Sequence, residues 1–131
     1  QAEDGIRDSE TWLEFRRVLF RSFAEIEISK GELIEVVPIT NLNIPKEEDS
    51  PCLKDYRFNW PQGNNPQEQV AAWGYGSIYN HSEKPNAYWI SNLDNYTFEF
   101  YALSDIKKDE EICTYYGDVK YWNGRAHIKI V

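Results

Sequence analysis

The chain has 131 residues, 41% apolar, 27% charged and 15% aromatic, with a formal charge of −8 from 22 acidic and 14 basic side chains. That is one globular domain's worth of sequence, enough for a single hydrophobic core. No apolar run approaches the ~20 residues of a bilayer span, the opening residues are too acidic and polar for a secretory leader, and the negative charge repels phosphate backbones, against direct nucleic-acid binding.

Residues 1–22 are charged and lack strand alternation; as a helix they would bring Trp12, Phe15 and Leu19 to one face. From Phe23 the texture changes. Residues 25–28 alternate, Lys30-Gly31 makes a turn, and 32–39 is a β-branched run that Pro38 ends. Residues 40–63 are polar and turn-rich, except that Tyr56, Phe58 and Trp60 alternate as on one face of a strand. Pro66 opens a predicted turn or two of helix over 67–73. Gly74 and Gly76 bracket Tyr75, a pattern suited to close backbone approach. After the polar loop 80–86, residues 95–102 alternate, a KKDEE turn follows, and 111–115 is the expected hairpin partner. A short alternating piece, 126–131, closes the chain. The pattern predicts a mainly β fold.

The charge favours cationic partners such as lysine-rich protein tails, or serves solubility alone. Cys52 and Cys113 are too few for a disulfide framework or a four-cysteine zinc site, and suit an intracellular, cytoplasmic protein with free thiols better than a single disulfide. With only His81 and His127, one chain cannot build a three-histidine metal site, and no metal is expected. A nucleophilic reading would pair Ser77 or Ser82 with His81, but neighbours in an extended loop point apart.

Two segments stand out: an NHSxxPN core in Asn80-His81-Ser82-Glu83-Lys84-Pro85-Asn86, and an EExxxxYG pattern from Glu110 to Gly117, followed by Tyr121-Trp122. In this order, about 25 residues apart, they resemble the SET-domain protein-lysine methyltransferases. The resemblance runs over residues 23–122, through 28–34, 55–60 and 102–108, and is to the compact, zinc-free type found in viral and bacterial members. It implies a SET-like (β-clip) fold of small sheets with a threaded C-terminal segment. It also implies methyl transfer from S-adenosylmethionine to lysine in a basic protein or peptide, with no membrane partner.

Carried over by position, Tyr116 is the catalytic tyrosine, and Asn80, His81, Phe23, Ala24 and Trp122 contact the cofactor. Tyr88, Trp89 and Tyr115 line the substrate channel or belong to the core. Pro85 and Asn86 fix the loop. Asp109 stands where relatives often have glycine, a mild change because Asp tolerates left-handed turns. The larger departure is at the front. Relatives carry a glycine-rich strand ending before Phe23-Ala24; here Phe20, Arg21 and Ser22 take its place. Residues 1–22, with AEDGIRD and RRVLFRS, resemble translated sequencing-adapter sequence of the kind found in assembled environmental reading frames. The domain division expected is therefore 1–22 as a foreign extension and 23–131 as a SET-like domain lacking part of its N-terminal strand. The rival reading is a non-catalytic SET-like module that grips lysine-rich peptides.

Overall fold

The computed structural model describes residues 21–43, 55–63, 68–118 and 122. The predicted helix face of Trp12, Phe15 and Leu19, the end segment 126–131, Cys52 and His127 lie outside them. Among the described residues there are seven strands, β1 (Leu33–Asn41), β2 (Phe58–Trp60), β3 (Glu68–Ala72), β4 (Asn80–His81), β5 (Ala87–Asn92), β6 (Thr97–Ala102) and β7 (Cys113–Thr114), with a 3-10 turn at Tyr75–Ile78. The described chain is mainly β.

Five strands form an antiparallel sheet in the order β2-β3-β1-β6-β5. Alternation carries the packing. On β6, Phe98, Phe100 and Ala102 are buried while Thr97, Glu99 and Tyr101 are only partly covered. Phe98 packs on Phe58 and Trp60, each 5.3 Å away between ring centroids, and Phe100 packs on Tyr79 at 5.3 Å and Trp89 at 5.8 Å. Val37, Ile39, Val70, Ala72, Ile106 and Ile112 complete the core. Gly76 meets Phe100 so closely that a Cβ there would stand 2.8 Å from Cδ2 and nearer still to Cε2 and Cζ. The expected close approach at this glycine is found.

Three local expectations are corrected. Pro38 does not end its strand: β1 runs on to Asn41 by changing partner, residues 33–38 pairing with β6 and 39–41 with β3. The proline lies at the changeover, where its missing N–H costs little. The helix predicted over 67–73 is not found in its described part, because Glu68–Ala72 is held between β1 and β2 with Val70 and Ala72 buried in alternation. Residues 111–115 do not form a hairpin with 95–102. Both edges of β6 are taken, by β1 and β5, and β7 pairs in parallel with β4 instead. Asp109 has φ 67°, the left-handed conformation anticipated for it.

The β4/β7 pairing brings two distant segments together. Asn80 lies beside Cys113 and His81 beside Thr114. Asn86 clamps the junction: its Nδ2 donates to the Glu111 carbonyl at 2.8 Å and its Oδ1 accepts from the Cys113 N–H at 2.8 Å. The N-terminal segment borders the same place through an antiparallel bridge between Phe23 and Glu111. Among the described residues, no helix is long and apolar enough to cross a membrane.

Candidate active site

Where β7 ends, the chain carries Tyr115 and Tyr116 past the β4 segment. The Tyr116 N–H donates to Nδ1 of His81 at 3.0 Å, which leaves the proton of a neutral imidazole on Nε2, where it faces Glu83 Oε1 at 3.1 Å. The Tyr116 hydroxyl donates to the backbone carbonyl of Tyr79, the residue before Asn80. Both ends of Tyr116 are therefore anchored on residues 79–81. His81 itself is buried. Its ring is the hub of an aromatic cluster, 4.8 Å from Trp122, 5.2 Å from Tyr115 and 5.4 Å from Tyr116 between centroids. Trp122 also stacks on Tyr116 at 6.1 Å, and its Nε1 donates to the Gly117 carbonyl.

Tyr116 also borders a cavity of about 370 Å³, shared with Tyr88, Trp89, Tyr115, Pro85, Ala87, Leu103, Gln62 and Gly63. The four aromatic residues singled out from the sequence for catalysis and channel thus line one space. Trp89 is at once wall and core, for it packs edge-on against Phe58 at 5.8 Å. Tyr88 stacks on Tyr101 across the β5/β6 pair.

The second group lies along the Phe23–Glu111 bridge. The Ala24 N–H donates to the Glu110 carbonyl and the Ile112 N–H to the Ser22 carbonyl, so Phe23's own N–H and C=O point away from residues 110–112. Ala24 is buried in the core and both its backbone groups are committed, its carbonyl accepting from Asp109 N–H at 2.7 Å. Asn80 Nδ2 donates to Glu111 Oε1 at 2.8 Å. The same carboxylate oxygen is 3.9 Å from Arg21 Nε.

Two residues that sequence reasoning passed over contribute here. Glu111 orients Asn80 through its carboxylate and Asn86 through its carbonyl; its fixed offset from Tyr116 inside EExxxxYG is the signal that marks it. Tyr79 supplies the carbonyl under the Tyr116 hydroxyl. Its own phenol is pushed well above the ordinary tyrosine pKa by burial and by its hydrogen bond to Glu35, so it stays protonated. Burial, with the nearby Glu111 charge, lifts the Cys113 thiol to about 11, which makes it a poor nucleophile at neutral pH. Gln62, Gly63 and Leu103 come to the cavity from segments with no shared motif.

This donor set fits an S-adenosyl amino acid. An amide and a carboxylate suit an ammonium, the free backbone edge of Phe23 suits the polar amino-acid portion, and the His81–Trp122 rings offer apolar cover for an adenine.

Comparisons with known proteins agree with one another. The SET domain family matches residues 22–117. The chain is 34% identical over 109 residues to the "Histone-lysine N-methyltransferase, H3 lysine-37 specific" of Schizosaccharomyces pombe, covering 79% of this chain and 70% of that protein. It superposes on the crystal structure of a Plasmodium falciparum protein described as a candidate histone methyltransferase, with TM-score 0.58, 34% identity, and coverage of 73% of this chain and 86% of the other.

Proposed function

Because the chain belongs to the SET-domain family of protein-lysine methyltransferases, we propose that Tyr116 is its catalytic residue and that the aromatic cavity beside it receives the substrate lysine. The reaction is transfer of a methyl group to the side-chain amine of a lysine in a protein substrate. S-adenosylmethionine supplies that methyl group, activated on a sulfonium. Asn80, Glu111, the backbone of Phe23 and the rings of His81 and Trp122 would hold it, while Ala24 seats the extended segment on which Phe23 lies.

The single observation that carries the reading is the double anchoring of Tyr116 at the boundary between the cavity and the Asn80–His81 segment. A phenol that donates to the Tyr79 carbonyl has its lone pairs left to accept an N–H of an incoming amine. Accepting that hydrogen bond aims the nitrogen lone pair in a fixed direction, and alignment of this kind can supply much of the acceleration of a displacement. The cavity walls do the other half. Once the lysine side chain fills the cavity, Tyr88, Trp89 and Tyr115 leave little room for water around it and disfavour the ammonium form, so the amine reacts neutral. No side-chain nucleophile is required, consistent with the Cys113 thiol being held protonated. His81 acts as a positioning residue through the Tyr116 N–H.

The substrate we assign is a lysine-rich, histone-like protein, supported by the net charge of −8 and by the substrates named for the relatives. An intracellular setting goes with that substrate and with the free thiol of Cys113. We further propose the division read from the sequence, with 1–22 an extension foreign to the domain; the family match covers residues 22–117, so it leaves 1–21 outside and takes in residue 22.

The test is a methyl-transfer screen over lysine-rich proteins, histones included, read by mass spectrometry of the modified residue. Cofactor-dependent methylation of lysine is expected. Tight binding of cofactor and basic peptide without transfer would overturn the assignment of Tyr116 and of the cavity.

A further inference from the structure

Arg21 sits on the same side of its extended segment as Phe23, two residues on, and Phe23 lies directly opposite Glu111. Its guanidinium is thereby carried to the Glu111 carboxylate, with Nε 3.9 Å from Oε1. That oxygen is also the acceptor for Asn80 Nδ2 at 2.8 Å. Nε is fully covered yet makes no hydrogen bond in the structure, so the side chain is lodged against Glu111 by charge and packing rather than by a made bond. A cation thus already stands at the carboxylate that holds Asn80.

We propose that Arg21 is a built-in competitor for the cofactor's ammonium group at the Asn80–Glu111 acceptor pair, and that it holds this chain's cofactor affinity below what the site would otherwise reach. The inference rests on the assignment of Asn80 to the cofactor. Its physical basis is that one carboxylate cannot serve two cations at full strength. An arriving ammonium must displace the guanidinium or share Glu111 with it at a cost in like-charge repulsion. The sulfonium adds a second positive charge to the ligand, but the pair at Glu111 concerns the ammonium, which S-adenosylhomocysteine carries too.

The full-length chain and the variants Arg21→Ala, Arg21→Met and Asn80→Ala are titrated calorimetrically with S-adenosylmethionine, S-adenosylhomocysteine and 5′-methylthioadenosine, which lacks the amino-acid portion. Arg21→Met keeps an apolar stem and so preserves packing if alanine loosens the segment. Both Arg21 variants are expected to bind the first two ligands about tenfold more tightly, a change of about 1.4 kcal/mol, by the same factor for each. Methylthioadenosine affinity should not move, and Asn80→Ala should weaken the first two. Unchanged affinity in both Arg21 variants, with Asn80→Ala still weakening binding, overturns the competitor and leaves the cofactor site standing. Weaker binding in both would mean that the guanidinium serves the ligand's carboxylate, which also overturns it. If Asn80→Ala changes nothing, the cofactor assignment itself falls, and the competitor with it.

Discussion

Replacing Asn86 by alanine should cost about 2–4 kcal/mol of stability and loosen the junction on which the site is built. The wild-type amide makes two bonds across it, Nδ2 to the Glu111 carbonyl and the Cys113 N–H to Oδ1, both at 2.8 Å and both partly buried. Removing the amide leaves two backbone groups without a partner, and each costs its desolvation penalty, about 1–2 kcal/mol at partial burial. The backbone bonds of the same residue, Asn86 N–H to the Cys113 carbonyl and Leu103 N–H to the Asn86 carbonyl, survive the substitution. The fold should therefore persist in weakened form. With a urea slope of about 1.5 kcal/mol per M, a 3 kcal/mol loss lowers the unfolding midpoint by roughly 2 M at unchanged slope. Because Asn80 lies in the β4/β7 pair and Tyr116 just beyond it, cofactor affinity should fall in parallel. Urea titration followed by circular dichroism gives the first number and calorimetry the second. A stability loss under about 0.5 kcal/mol would refute the clamp, since neither bond could then be carrying what its geometry implies.

Gly76→Ala should destabilise by about 1–3 kcal/mol, because the added methyl runs into Phe100, which is fully buried between Tyr79 and Trp89; a fall in Tm of several degrees in a calorimetric scan checks it, and an unchanged Tm contradicts it. Tyr79 holds its proton more tightly folded than unfolded, where a phenol titrates near 10.0. Its contribution is thus fully present below about pH 10 and is lost as pH rises above that, since the unfolded chain then releases the proton first. Tyr79→Phe should flatten the alkaline fall of stability relative to wild type, and identical slopes would show the phenol is not involved. Affinity for a lysine-rich peptide should drop as salt rises from about 0.05 to 0.5 M, through screening of long-range attraction. A salt-independent affinity would assign the charge of −8 to solubility alone.

Much of this was legible where a pattern was local or carried by a motif. The alternation of Thr97 to Ala102 fixed both the strand and its buried face, and NHSxxPN with EExxxxYG named the two segments that β4 and β7 bring into register. What escaped was set by partners far along the chain. Glu68, Gln69, Ala71 and Ala72 carry good helical propensity, and pairing on both sides overrides it. Pro38 reads as a terminator only until the change of partner from β6 to β3 is seen. The segment 111–115 follows a strand after a turn and so looks like half a hairpin, but its parallel partner lies some thirty residues back. The Arg21–Glu111 contact likewise joins residues that no local signal connects.

In the mechanism proposed above, the Tyr116 hydroxyl orients the substrate amine. The most direct test of that role is the single-turnover methyl-transfer rate of Tyr116→Phe against wild type, at saturating S-adenosylmethionine and lysine substrate. The substitution deletes one oxygen and leaves the Tyr116 N–H bond to His81 and the ring contacts with His81 and Trp122 available. The rate should fall by about 10²–10⁴, with cofactor affinity within a factor of two or so of wild type. A rate equal to wild type would contradict that role and remove Tyr116 from the chemistry.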